Sequence, residues 1–345
     1  MELDLVIPQA LSPSRALLDQ LREAPECPGL RRLIRRGDTL QAAHHPWADT
    51  PLDPVTGYDS AAALALLGEG QTPGEGYWLR ADPVHLLPDY DHAIVWDAAL
   101  LELDRDEAEA LVAAFNEHFG EDELALYCAA PGRWYLRCPH PLELRTVAPE
   151  WAAGRNAFHC LPDGGDGARL RTWMTETQML FHDHPVNEAR RRQGRLEVSG
   201  VWFWGGGGLP GKADLATDVL WSENPLSKGL ARMSGVVEQD LPTGFEAWRA
   251  RAGAGRHLLV PEQGSVSTRR GDGEAWHEAL QALDRDWIRP AVQAVEQGGL
   301  ARLRLWSGPD RPGYCYRRAH RLRFWRRGPG LRTWLDRQSE LEEVE

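Results

Sequence analysis

The sequence predicts an α/β protein, on three observations. Short β-prone apolar runs, among them residues 3–7, 201–204, 257–260 and 301–306, alternate with longer stretches of helical periodicity. One run, Val201-Trp202-Phe203-Trp204, passes straight into Gly205–Gly208. Bare backbone amides therefore stand at a strand's C-terminal end, where open α/β sheets bind ligands. At 345 residues and 42% apolar content, the chain is long enough for one large domain or two, with a substantial core.

Residues 3–7 read as a buried first strand. Ser12-Pro13 opens a helix to about Glu23, with proline at its favoured first position, and a second helix over 28–36 stops at Gly37. Asp59 or Ser60 caps an alanine- and leucine-rich helix to Leu67, and the glycine-rich 68–76 is a linker. Residues 78–86 and 93–96 then read as neighbouring strands. Asp104 with Glu107 makes a capping-box start for a helix ending at Gly120. Residues 124–129 and 133–138 form a hairpin across Pro131-Gly132. This β-β-α-β-β run is a small α+β unit. The domain expectation is 1–76 as the first part of an α/β core, 77–140 as an inserted α+β domain, and 141–345 as the remainder.

The stretch 175–210 organises the chain. Trp173, Met174, Met179, Leu180 and Phe181 come at roughly helical spacing and predict a buried face. Pro185 interrupts that helix, so His182, Asp183 and His184 sit at a break. Asn187 with Arg190 or Arg191 shares one side of the next turn, which Gly194 ends. Further on, Asn224 caps a helix from Pro225 to Gly235, and helices follow over 245–252 and 272–297. Tyr314–Arg317 and Arg321–Trp325 read as a half-solvated hairpin with Leu322 and Phe324 inward.

Net charge of −12 argues against wholesale binding to nucleic acid or an anionic membrane. No apolar run approaches the length of a membrane span, and the N-terminus lacks the pattern of a signal peptide, so a cytoplasmic protein is expected. Five cysteines without a Cys-x-x-Cys pair fit reduced thiols. Fifteen tryptophans are expected to fill a wide core.

His184-Pro185-Val186-Asn187, Arg190, Gly194 and Trp202-x-Trp204-Gly205 together resemble the archaeal-type, cofactor-independent phosphoglycerate mutases. More similar still are their relatives, the RpfE-type regulatory proteins of bacteria. Residues 226–235 (LSKGLARMSG) resemble the mutases' segment after the same strand. The resemblance implies an alkaline-phosphatase-like central sheet flanked by helices, with a small inserted α+β domain. In those mutases the first strand delivers a metal-binding aspartate; here it runs into Pro8-Gln9. Their nucleophilic serine stands near the start of the helix matched by Ser60, where Ser60 and Asp59 read better as caps. Residues 257–277 keep only His257, Asp272 and His277, wrongly spaced for the mutase ligands, and Asp310 stands without its histidine. The expectation is therefore no metal, no cofactor and no catalytic residue.

Arg80, His184, Asn187, Arg190, Gly205 and Gly206 are the candidate ligand-binding residues. A guanidinium grips phosphate or carboxylate through paired hydrogen bonds, an amide side chain adds another, and glycine amides can cradle an anion. Each has a structural alternative. Arg80 is either a cleft residue, as in the mutases, or an exposed strand arginine. Asn187 and Arg190 either hold a ligand or tie the kinked helix to the next strand. His184 either binds or donates to carbonyls freed by Pro185, and the glycines are either a cradle or a plain loop. The expected function is a non-catalytic, mutase-like regulatory protein that binds a small phosphorylated or carboxylate ligand or a protein partner. The alternatives are a metal-dependent phosphotransferase and a nucleic-acid-binding regulator using Arg317–Arg327.

Overall fold

The computed structural model describes residues 1–8, 10–11, 13–46, 60–89, 92–96, 98–152, 157–263, 265–308, 311–326 and 328–343. In chain order the first strands are β1 (Glu2–Val6), β2 (Asp38–Leu40), β3 (Tyr77–Asp89), β4 (His92–Trp96), β5 (Ala125–Ala130) and β6 (Arg133–Cys138). They are followed by β7 (Gly200–Gly207), β8 (Val219–Ser222), β9 (Val237–Gln239), β10 (Arg256–Val260), β11 (Arg302–Trp306) and β12 (Gly313–Arg317). The chain divides into two compact units, residues 1–50 with 212–345, and residues 51–211.

The first unit carries a sheet in the order β2-β12-β11-β1-β10-β8-β9. From β9 to β11 every pairing is parallel, whereas β12 runs antiparallel to both β11 and β2. The register aligns Leu305, Leu5, Leu259 and Trp221 in one row. That face is closed by helices bringing Leu30, Leu33, Trp276, Leu280, Trp287 and Val292 into one buried cluster. Removing each leucine from water contributes about 2 kcal/mol. The opposite face carries charge: Asp4, Arg304, Cys315 and Asp38 lie in register across β1, β11, β12 and β2. Asp4 is 1% exposed, and both its oxygens accept hydrogen bonds from the Arg304 guanidinium.

The helix Pro28–Arg36 shows how the helices are fastened. Pro28 has no amide hydrogen and Cys27 gives no capping bond, so the N–H groups of Gly29 and Leu30 need outside acceptors. Asp284, 1% exposed, supplies both, at 3.2 and 2.6 Å. It reaches them from a widened turn. The helix expected over 272–297 is α-helical over Gly273–Leu283, π-helical over Asp284–Ile288 and α-helical again over Arg289–Gln297. Pro290, which cannot donate to the preceding turn, sits directly after that bulge. At Gly29 the two helices meet so closely that a Cβ would lie 2.5 Å from Arg289 Cα. The first helix is shorter than expected, Arg15–Asp19, and Ser14 caps it. Ser12 lies outside the described residues.

In the second unit β3 is the shared strand, and all its pairings are antiparallel. Its N-terminal half runs between β6 and β7, and its C-terminal half pairs with β4. The helices Arg105–His118 and Gly167–His182 bury Phe115, Trp173 and Phe181 against Leu79, Trp134, Val201 and Phe203. Met179, expected on the buried face, is 69% exposed; Leu170, Trp173, Thr177 and Phe181 make the buried stripe. The run Val201–Trp204 thus lies in an antiparallel sheet with β3, outside the parallel one. The rule that ligands gather at the C-terminal ends of parallel strands does not extend to its glycines. The α/β class with a central sheet flanked by helices stands as expected.

Replacing Asp284 by alanine leaves two buried N–H groups without acceptors. We expect a loss of about 3 kcal/mol in urea unfolding, and a smaller loss for Asp284→Asn, which keeps one acceptor.

Candidate functional site

The break at Pro185 is built as its sequence demands. The first helix ends at His182 and the next runs Pro185–Arg192 with proline at its first turn. His184 is the N-cap: its Nδ1 accepts from the Val186 N–H at 3.2 Å. The ring therefore acts as an acceptor there, in place of the expected donation to freed carbonyls. That fixes the remaining proton of a neutral imidazole on Nε2.

Asn187 and Arg190 are both fully buried. The Asn187 amide donates to Phe181 O at 2.8 Å and Val198 O at 2.9 Å, and its oxygen accepts from Val198 N–H at 2.9 Å. One side chain thereby joins the end of the first helix to the segment entering β7. Arg190 donates through Nε to Leu196 O at 2.6 Å, through Nη1 to Glu107 at 2.6 Å, and through Nη2 to Leu101 O. Glu107 also closes the capping box with Asp104 and takes Arg195 at 3.0 Å. These bonds tie the kinked helix to its neighbours, and nothing of either head group faces solvent.

Arg80 and Asp82 alternate onto one face of β3. The Asp82 Oδ1 accepts from Arg80 at 3.2 and 2.5 Å, and its Oδ2 accepts from Trp204 Nε1 at 2.7 Å. The guanidinium also lies 5.1 Å from the Tyr135 ring and 5.3 Å from that of Trp204. Strand alternation, which sends residues 80 and 82 to the same side, is the sequence signal that reveals this pair. The glycines are explained by close approach. Gly205 has φ +63°, and a Cβ there would stand 2.9 Å from Ala61 Cβ; one on Gly206 would lie 2.3 Å from the Tyr77 hydroxyl. The Gly205 N–H donates to Thr146 Oγ1 at 3.1 Å, and the Gly206 carbonyl accepts from Ser60 N–H at 3.0 Å. No sequence signal marks Thr146.

Among the described residues, the side chains do not fit a two-metal phosphatase centre. His257 is 1% exposed; its Nδ1 faces Trp221 Nε1 and its Nε2 faces Gly253 O, both at 3.1 Å. Asp272 accepts from Ala275 N–H as the N-cap of the helix Gly273–Leu283. Asp59 and Asp310 lie outside the described residues. Among the described residues, no three His, Cys, Asp or Glu side chains are grouped to hold an ion. Ser60 precedes the helix Ala61–Gly68 in a left-handed conformation, φ +72°, and its side chain makes no capping bond. A recess of about 720 Å³ opens elsewhere, lined by Thr243, Gly244, Phe245, Arg285, Asp286 and Arg289 among others. None of the six candidate residues lines it.

The expected second strand of the basic hairpin does not form. β12 is already flanked by β11 and β2, so no edge remains for residues 321–325. Arg318–Leu322 coils into a 3₁₀-helix instead, and Leu322, Phe324 and Trp325 are 59%, 79% and 66% exposed. Leu322 and Phe324 therefore point outward, against the inward orientation expected. Arg327 lies outside the described residues.

The fold and these sites define a class, an α/β protein of alkaline-phosphatase-like architecture with a second α+β unit. The PH0037 protein from Pyrococcus horikoshii shares it: TM-score 0.55, 14% identity, covering 100% of this chain and 97% of that one. A cofactor-independent phosphoglycerate mutase from Thermoplasma acidophilum aligns over 99% of both chains, with 15% identity and TM-score 0.43. No family model matches. The chain is 23% identical over 326 residues to a probable 2,3-bisphosphoglycerate-independent phosphoglycerate mutase of Geobacter sulfurreducens, covering 84% of this chain and 80% of that protein. That similarity supports homology to the cofactor-independent phosphoglycerate mutases.

Two outcomes follow. Asn187→Ala strips bonds from three buried backbone groups and should cost about 3 kcal/mol in urea unfolding, with Arg190→Ala costing as much or more. Burial also holds His184, His257 and His320 below the ordinary imidazole range, and holds His45 down at about 3. The folded state thus prefers neutral rings. The stability this contributes is complete above the unfolded value near 6.5 and is lost as pH falls below it. The melting temperature should drop between about pH 6.5 and 5, and His184→Asn, which keeps a cap without a titrating ring, should lessen the drop.

Proposed function

We propose that this protein is a non-catalytic relative of the phosphoglycerate mutases, akin to the RpfE-type regulatory proteins, acting by binding rather than by phosphoryl transfer. One observation carries this reading: His257 and Asp272, two of the donors left at mutase-like positions, are occupied by the fold. Both nitrogens of His257 are bonded inside the sheet's packing, Asp272 caps a helix, and the two carboxylates of β1, Glu2 and Asp4, are bonded to Arg302 and Arg304. A two-metal centre needs several such groups free to converge on ions about 4 Å apart. None of the five cysteines forms a disulfide, which suits a reducing, cytoplasmic setting.

The small-anion form of this reading finds its best footing in the recess beside Arg285 and Arg289. Arg289 is exposed there, while Arg285 pairs with Asp286 at 2.8 Å. A planar guanidinium at a recess wall suits phosphate or carboxylate. The second reading, a working phosphotransferase, is favoured by Ser60, whose hydroxyl makes no capping bond at a helix start. The experiments separate the two. Purified protein should show no manganese- or zinc-dependent mutase activity, and 3-phosphoglycerate should raise the melting temperature of the wild type but not of Arg289→Ala. Turnover that Ser60→Ala abolishes would establish the phosphotransferase instead. Equal shifts in wild type and Arg289→Ala, or none, would remove the small-anion form.

A further inference from the structure

The structure joins two basic runs that the sequence keeps nearly 300 residues apart. The helix Pro28–Arg36 presents Arg31, Arg32 and Arg35 to solvent, with Arg36 half-buried. Against its C-terminal end lies the segment Arg317–Arg326. Arg36 Nη1 donates to Arg321 O at 3.0 Å, Arg323 Nη1 to Arg36 O at 3.3 Å, and Arg326 Nη1 to Gly37 O at 2.7 Å. Asp38 anchors the junction, accepting from Arg323 at 2.5 Å and Arg326 at 3.4 Å and facing His320 at 3.2 Å. Glu296 is the other carboxylate bonded within it, pairing with Arg32 at 2.9 Å. The guanidiniums of Arg323 and Arg326 are partly neutralised, while Arg31, Arg35, Arg317, Arg318 and Arg321 remain exposed around them.

Out of this cationic collar projects an apolar tip. Leu322, Phe324 and Trp325 are all more than half exposed, and the Phe324 and Trp325 rings meet edge to face at 5.2 Å. Three large apolar side chains on a clamped turn are an unusual expense of exposed surface on a chain of net charge −12. The collar matches an anionic partner, and the composition of the tip selects among anionic partners. Single-stranded nucleic acid rewards flat aromatic faces open to stacking. Here the two rings are edge to face with each other and the third member is aliphatic. An acyl boundary beneath anionic headgroups accommodates leucine, phenylalanine and tryptophan together, with arginines at headgroup level.

We propose that the tip Leu322–Trp325, with its arginine collar, docks this protein on an anionic lipid surface. Attachment is peripheral: no described helix is long and apolar enough to cross a membrane. The overall negative charge opposes the surface at long range and leaves the collar as the face that approaches it. This goes beyond the functional reading above and stands whether or not the protein catalyses anything.

Flotation of the full-length protein tests it, using vesicles of phosphatidylcholine alone or with about 30% phosphatidylglycerol. Protein should float with the anionic vesicles and not with the neutral ones, and high salt should release it. Phe324→Ser/Trp325→Ser and Arg318→Glu/Arg321→Glu should each reduce the bound fraction about tenfold or more. All four side chains are exposed, so the melting temperature should stay unchanged, and a melt of each variant checks that it folds. No flotation, or flotation equal in the variants, overturns the proposal. So does tighter binding to an oligonucleotide of about 20 nucleotides that the Phe324/Trp325 variant loses, which would make nucleic acid the occupant.

Discussion

Buried polar groups must find partners, and that requirement decides most of what this molecule's conspicuous residues do. An amide or guanidinium withdrawn from water without hydrogen bonds costs several kcal/mol, so a fold that buries one must surround it with acceptors. Just past the break at Pro185, Asn187 bonds Phe181 O, Val198 O and the Val198 N–H. The turn after Arg192 frees Leu196 O, which Arg190 takes while its other arms reach Glu107 and Leu101 O. Asp284 does the same for the helix at Pro28. In each case the irregularity and the polar side chain that repairs it are one structural feature.

The same constraint separates scaffold from chemistry. The chain is similar to a probable phosphoglycerate mutase and carries a central sheet, a helix break at Pro185 and a glycine-bearing strand. The conspicuous side chains there bond to backbone and side-chain groups of the same unit. His257 is held between Trp221 and a carbonyl, and Arg80 lies under two aromatic rings with Asp82 beside it. Such packing holds the fold together, because deleting any one partner exposes the others' desolvation cost.

Surface features obey the opposite logic. The arginines around residues 317–326 cluster because β2 and the helix before it bring a second basic run beside the first. Asp38 then clamps the two together and draws its own carboxyl below the usual range, chiefly through its hydrogen bond to Arg323. The apolar tip is exposed because β12 has both edges filled and offers residues 321–325 no strand to join. A site of recognition thus arises where the sheet has run out of valence.

The sequence alone determined what depends on local rules. Capping chemistry places the helix starts at Asp104 and Asn224, and proline and glycine place the ends and breaks at Pro28, Pro185 and Gly235. Apolar period gives strands β1, β5, β6, β7, β10 and β11, hence the α/β class. Only the tertiary structure decided what depends on partners distant in the chain. β2, β8 and β9 are three or four residues long, too short for a pattern of their own, and exist because a neighbouring strand pairs them. β7 carries the pattern of a buried strand in either sheet, and its register with β3 settles which. Whether a guanidinium is a grip or a rivet depends on which carbonyls surround it, and those come from elements up to 89 residues away. No local pattern in the residues around Arg190 records that Leu101 and Glu107 will stand beside it.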